Sequence, residues 1–82
     1  MILDENWAVS IDRVRFFFAQ QPDITPDADA FLFGACRISL TACEGSLGAF
    51  PLQRTRLHIE GPEDEVKSIY HRFFMRFLSA GG

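Results

Sequence analysis

The 82-residue chain is predicted to fold as a single α+β domain, residues 1–82, built on an antiparallel β-hairpin. Three observations support this fold class. Residues 52–60 alternate between apolar and basic side chains, residues 62–78 carry apolar side chains at helical spacing, and residues 31–43 contain a second alternating run. The N-terminal segment, residues 4–20, is expected to add a helix or a strand to the same core.

A two-residue period identifies residues 52–60 as a strand with one apolar and one basic face. The apolar face carries Thr55, Leu57 and Ile59, and the basic face carries Arg54, Arg56 and His58. Gly61 and Pro62 end this strand, because proline has no N–H to donate to a sheet.

The segment 62–78 has the signals of a helix at its start and along its length. Pro62 suits the first helical position, and the acidic residues 63–65 place negative charge at the positive end of the helix dipole. The apolar stripe is Val66, Ile69, Tyr70, Phe73, Phe74, Phe77 and Leu78. This stripe predicts a C-terminal helix that packs on the hairpin.

Residues 31–43 are interpreted as the partner strand of the hairpin. Cys36, Ile38, Leu40 and Ala42 alternate with polar residues, and the run is rich in strand formers. A helix starting near residues 25–27 stays an alternative, because Phe31, Ala35, Ile38 and Ala42 also fit helical spacing.

The connection between the two strands, residues 44–51, contains two glycines and a proline and predicts a loop longer than a two-residue turn. With Cys43 opposite Leu52, Arg37 would face His58 and every apolar residue would share one side. A slip by one residue would put arginines in the core.

The N-terminal segment supports two interpretations. Leu3, Trp7, Ile11, Val14 and Phe18 keep near-helical spacing, with Asp4 as a possible N-cap and Pro22 as a stop. The run from Val14 to Phe18 is also rich in strand formers, so two strands separated by a bulge remain possible. The helix is slightly favoured.

Composition narrows the function classes. A net charge of −3 argues against a dedicated nucleic-acid binder. No apolar run reaches the roughly 18 residues of a membrane span, and the N-terminus lacks a basic signal-peptide flank, so a cytoplasmic protein is expected. Cys36 and Cys43 lie too far apart on a strand for a disulfide and are expected to be free thiols.

No motif predicts a catalytic, cofactor or metal site. The strongest candidate surface is the basic face of the hairpin, where Arg37, Arg54, Arg56 and His58 would hold a phosphate, a carboxylate or an acidic protein surface. Leu47 and Phe50 in the connecting loop are apolar and would fold onto the core or meet a partner.

The chain ends in Ser79-Ala80-Gly81-Gly82. A terminal Gly-Gly resembles the tails of ubiquitin-like proteins and small sulfur-carrier proteins. The resemblance implies a carrier whose terminal carboxylate is activated by adenylation. In those families the tail follows a strand, whereas a helix precedes it here.

Nine phenylalanines are many for so small a core, and leftover apolar surface often marks an interface. The first functional expectation is therefore a non-catalytic protein-interaction or regulatory module, either a homodimer or bound to another protein. The alternatives are a Gly-Gly carrier and an anion-binding protein that uses the arginine face.

Overall fold

The computed structural model describes the backbone of residues 1–47 and 50–78, and the side chains of residues 1–43 and 53–78. In this part of the chain the strands are β1 (Ile2–Trp7), β2 (Thr25–Asp27), β3 (Ala30–Phe33), β4 (Cys36–Leu47) and β5 (Phe50–Glu60). The helices are α1 (Ile11–Ala19) and α2 (Glu63–Phe77). The predicted α+β class is confirmed.

The strands form one antiparallel sheet in the order β1-β5-β4-β3-β2, so β1 and β2 are its edges. Both helices cover the same face. Ile38, Leu40, Leu57 and Ile59 on that face are buried in one cluster with the apolar residues of α1 and α2. Arg37, Arg54 and Arg56 on the opposite face are exposed.

Aromatic rings dominate the core between the helices and the sheet. Phe73 is fully buried, stacks on Phe18 with centroids 5.9 Å apart, and meets the edge of Trp7 at 5.0 Å. Phe17, Phe31 and Phe77 are also buried, whereas Phe16 is 65% exposed. The core therefore holds most of the described phenylalanines and leaves Phe16 outside.

The prediction that residues 4–20 form one helix or strands alone is wrong. Residues 2–7 pair with β5 as a strand, and the helix begins only at Ile11, after Ser10 in an extended conformation. The helical spacing of Leu3, Trp7 and Ile11 spans this junction by coincidence. Pairing satisfies the backbone groups of β5 that would otherwise form an open edge.

The prediction of a single strand over residues 31–43 is also wrong. The segment divides into β3 and β4 at a tight turn in which Gly34 has a φ of +58°, a value that favours glycine. Glu65 in α2 holds this turn, because its carboxylate accepts a 2.7 Å hydrogen bond from the backbone N–H of Ala35.

The predicted hairpin exists, but its strands extend into the predicted loop and its register differs by two residues. Arg37 pairs with Glu60 rather than His58, and Cys43 pairs with Arg54 rather than Leu52. A shift of two keeps each side chain on its predicted face. The ladder extends to Leu47 and Phe50, so the predicted long loop over residues 44–51 is wrong.

The C-terminal helix is confirmed, with a small correction at its start. Pro62 occupies the N-cap position, with φ −58° and ψ 139°, rather than the first helical position. No helix in residues 1–47 and 50–78 is long and apolar enough to cross a membrane.

Candidate functional site

The arginine face predicted from the sequence is the exposed side of the sheet, but acidic residues share it. Arg56 donates two hydrogen bonds, of 2.9 and 2.6 Å, to the carboxylate of Asp4, and His58 Nδ1 lies 3.1 Å from the same group. Arg37 pairs with Asp27 at 3.0 Å. Two of the three arginines are therefore already bound to carboxylates.

These contacts are strong enough to perturb ionisation. The hydrogen bond from Arg56 and then that of His58 hold the pKa of Asp4 well below its usual value of 3.8. The same contact raises the pKa of Arg56. Asp4 on β1 and Arg56 and His58 on β5 thus link the two strands through their side chains. A free anion would have to displace Asp4 to bind Arg56.

Arg54, the remaining arginine of this face, forms no ion pair with any described residue. It lines a cavity of about 180 Å³ together with Ser10, Asp12 and Cys43. Leu47 and Phe50 form the last backbone pair of the β4–β5 ladder. Their side chains lie outside the described part, so their predicted role as contacts stays a prediction.

Sequence reasoning missed the acidic residues of this face because β1 and β2 were not recognised as strands. Asp4 lies on β1 beside His58, and Asp27 lies on β2. In the structure Leu3, Glu5 and Trp7 are half-buried and alternate with exposed residues, but the charged Glu5 hides this period of two in the sequence.

A second surface lies where the outer sides of the two helices meet. The residues that line one cavity there, of about 210 Å³, are here called the helix-face patch: Asp12, Arg13, Phe16, Arg76 and Phe77. A neighbouring cavity of about 270 Å³ shares Arg13, Phe16 and Arg76 with it. Phe16 is 65% exposed, and Phe77 forms the buried floor.

The charged residues of the helix-face patch form no ion pairs with the described residues. The guanidinium carbons of Arg13 and Arg76 lie 5.8 and 5.4 Å from the centroid of Phe77, in cation–π contact. Neither arginine forms an ion pair in that part of the chain, and nor does Asp12. The patch thus combines an apolar centre with both signs of charge.

A third group lies at the open edge of the sheet, where α2 passes β1. This edge cluster consists of Glu5, Trp7, Tyr70 and Phe74. Glu5 Oε1 accepts hydrogen bonds from Trp7 Nε1 at 3.0 Å and from the Tyr70 hydroxyl at 2.6 Å. Burial and then the contact with Glu5 raise the pKa of Tyr70 to about 12, so its hydroxyl stays protonated and keeps donating.

Metal binding and thiol chemistry depend on where the described side chains lie. Within residues 1–47 and 50–78, no group of three His, Cys, Asp or Glu side chains is placed to hold a metal ion. Cys36 is 1% exposed, and burial raises the pKa of its thiol, which disfavours the reactive thiolate. Gly81 and Gly82, which carry the predicted carrier function, lie outside the described residues.

No family model matches the chain, and neither a curated protein nor a solved structure is significantly similar to it.

Proposed function

We propose that this protein is a non-catalytic interaction module that forms a two-fold homodimer through the helix-face patch. The observation that carries the proposal is the 65% exposure of Phe16 at the centre of that patch. Phe16 is exposed to solvent beside two cavities. Burying its ring in an interface would stabilise the complex through the hydrophobic effect. A second copy of the chain would supply that burial. A cytoplasmic location, which the sequence analysis leads us to expect, is part of what we propose.

The charge pattern supports a dimer between identical copies. A two-fold interface brings the same patch of both subunits together, so the patch must be complementary to itself. The helix-face patch carries one acidic residue, Asp12, and two basic residues, Arg13 and Arg76, beside Phe16. In a two-fold pair, Asp12 of each copy meets the arginines of the second copy, and neither charge is already engaged within the described chain.

Anion binding by the exposed sheet face has weaker support. Arg37 and Arg56 are already paired with Asp27 and Asp4, and a phosphate would have to compete with those carboxylates. The helix-face patch has no such competitor among the described residues.

Sedimentation equilibrium tests the proposal directly. We expect the wild-type chain to dimerise with a Kd below roughly 100 µM, and Phe16→Ser to weaken dimerisation at least about tenfold. Met75→Ser is the matched control, because Met75 is a similarly exposed apolar residue of α2, at 60%, outside the patch. A wild-type chain that stays monomeric near 1 mM would contradict the proposal.

Charge-reversal variants distinguish a specific interface from nonspecific hydrophobic association. Asp12→Lys makes the patch wholly basic, and the double variant Arg13→Glu with Arg76→Glu makes it wholly acidic. Each variant alone should be monomeric, because like charges meet across the axis. An equimolar mixture should form a heterodimer, because both contacts are then between opposite charges. Failure of the mixture to associate would contradict the charge pairing.

A further inference from the structure

The edge of the sheet at β1 is open. Within the described part of the chain, β1 pairs with β5 on one side and with nothing on the other. Alternate backbone N–H and C=O groups of residues 2–7 therefore point outward from the sheet. Such an edge can accept an additional strand from another chain.

Glu5 lies on the helix side of β1 and carries a charge that no described cation neutralises. Its hydrogen bonds come from Trp7 and Tyr70, which are neutral donors, and both reach Oε1. Every buried nitrogen and oxygen atom of the described side chains has a partner. Oε2 accepts no hydrogen bond from these residues, so it is not fully buried and keeps its capacity to accept one.

Two aromatic side chains bind this carboxylate, and a third aromatic ring packs against both of them. Phe74 lies 5.9 Å from Trp7 in an edge-to-face arrangement and 6.0 Å from Tyr70, between centroids. Aromatic faces beside a carboxylate attract a Lys or Arg side chain through both cation–π and ionic contacts. Lys67, which lines the neighbouring cavity with Tyr70 and Phe74, is already paired with Glu63 at 2.9 Å.

Asp4 and Glu5 disfavour two of the registers in which the β1 edges of two copies of this chain could pair. In one symmetric antiparallel register that keeps the helices on one face, Asp4 would stand opposite the same residue of the second copy. In the next such register, Glu5 would stand opposite itself. Like charges directly opposite each other destabilise a strand pair. A basic residue opposite Glu5 avoids this repulsion and meets a charge that no described cation pairs with.

We propose that the β1 edge binds an extended segment of a partner protein that adds a sixth strand and places a Lys or Arg side chain against Glu5 and its aromatic neighbours. Opposite residues on one face of a strand pair have Cβ atoms about 5 Å apart, which is within reach of a long basic side chain. Strand pairing supplies the general affinity, and the edge cluster supplies selectivity for the cation. This site is separate from the helix-face patch and does not depend on dimerisation.

A designed peptide probes this site. Acetyl-Thr-Val-Thr-Lys-Thr-Val-Thr-amide has one central lysine and reads the same in both directions, so it can pair with β1 in either orientation. Trp7 is the only tryptophan of the chain and reports binding by its emission. We expect saturable binding to the wild-type chain with a Kd below roughly 1 mM.

Two control peptides separate charge from strand pairing. Replacing the lysine by glutamate should raise Kd at least about tenfold, because the new carboxylate would face the carboxylate of Glu5. Replacing both flanking threonines by proline keeps the charge but removes two backbone donors, and it should abolish binding. Equal binding of the glutamate peptide, or undiminished binding of the proline peptide, overturns the proposal.

The matched protein variants are Glu5→Gln and Asp64→Asn. Glu5→Gln keeps an oxygen for Trp7 and Tyr70 but removes the charge, and it should raise Kd about tenfold. Asp64→Asn removes an exposed charge of α2 and should leave Kd unchanged, as should Phe16→Ser. An unchanged Kd for Glu5→Gln refutes the role of Glu5.

A second measurement on the wild-type chain covers the case in which Glu5→Gln does not fold. On peptide addition, NMR amide shifts of ¹⁵N-labelled protein should concentrate in β1 and the edge cluster. Shifts concentrated elsewhere, or no saturable change up to about 1 mM peptide, overturn the proposal.

Discussion

Thr55 Oγ1 donates a 2.7 Å hydrogen bond to the backbone carbonyl of Val9, and both residues are buried. The bond joins the inner face of β5 to the connection between β1 and α1. This connection is where the chain leaves the sheet and turns into its first helix. A strand-forming threonine on the apolar face therefore also fixes the course of the N-terminal segment.

Replacing Thr55 by valine removes this bond and leaves the Val9 carbonyl buried without a partner. We expect the free energy of unfolding to fall by about 1–3 kcal/mol. Urea denaturation followed by circular dichroism measures this change. Thr41→Val, at an exposed position of β4, should change it by less than about 0.5 kcal/mol. Equal effects of the two substitutions would contradict the role of the hydrogen bond.

The aromatic core predicts a strong contrast between two phenylalanines. Phe73 is 0% exposed and contacts Trp7 and Phe18, so Phe73→Ala should lower the free energy of unfolding by about 3–5 kcal/mol. Phe16→Ala should lower it by less than about 0.5 kcal/mol at concentrations where the chain is monomeric. Thermal unfolding of the two variants side by side tests this contrast.

The contacts of Asp4 with Arg56 and His58 predict that the free energy of unfolding depends on pH. The pKa of Asp4 is lower in the folded chain than its ordinary value of 3.8, because Arg56 and His58 stabilise the charged form. The resulting stabilisation is present above pH 3.8 and is lost as the pH falls further. We therefore expect Asp4→Asn to be less stable than the wild type near neutral pH. The gap should close towards about pH 2 in urea titrations.

Asp29→Asn serves as the control for this titration, because Asp29 lies in the turn between β2 and β3, away from any helix N-terminus, and makes no hydrogen bond or ion pair with a described residue. Its stability should stay parallel to that of the wild type. A gap between Asp4→Asn and the wild type that widens on acidification would show that the sign of the effect is wrong.

The two cysteines should differ in reactivity. Cys36 is buried and its thiol pKa is raised, whereas Cys43 is half-buried on the exposed face of β4. We expect Ellman's reagent to modify Cys43 in the native chain and to modify Cys36 only after unfolding. Native Cys43→Ser should therefore show almost no reaction. Rapid modification of that variant would mean that the core opens readily.

The faces of β4 and β5 were predictable from local sequence, although their register was not. Ile38 and Leu57 are buried and Arg37 and Arg56 are exposed, as the alternation indicates. The real register differs by two residues, and alternation cannot detect such a shift, because side chains return to the same face every second residue.

The missed elements depend on contacts between distant parts of the chain. Gly34 ends β3 within an apolar run, and the turn there is held by Glu65, which follows about thirty positions later. β1 forms against β5, although its helical spacing with α1 suggested otherwise. Arg37, Arg54 and Arg56 lie on the exposed face, as the alternation predicted. The carboxylate partners Asp4 and Asp27 were not predicted, because those residues belong to the two unrecognised edge strands.

The sequence by itself determined the α+β class, the C-terminal helix and the apolar and polar sides of the central hairpin. Each depends on a period of two or 3.6 residues, which the chain carries locally. Only the tertiary structure decided that the arginine face is largely paired, that Phe16 remains exposed, and that Glu5 gathers an aromatic cluster at an open edge. These features require residues far apart in sequence to meet, and no local pattern records which of them will pair.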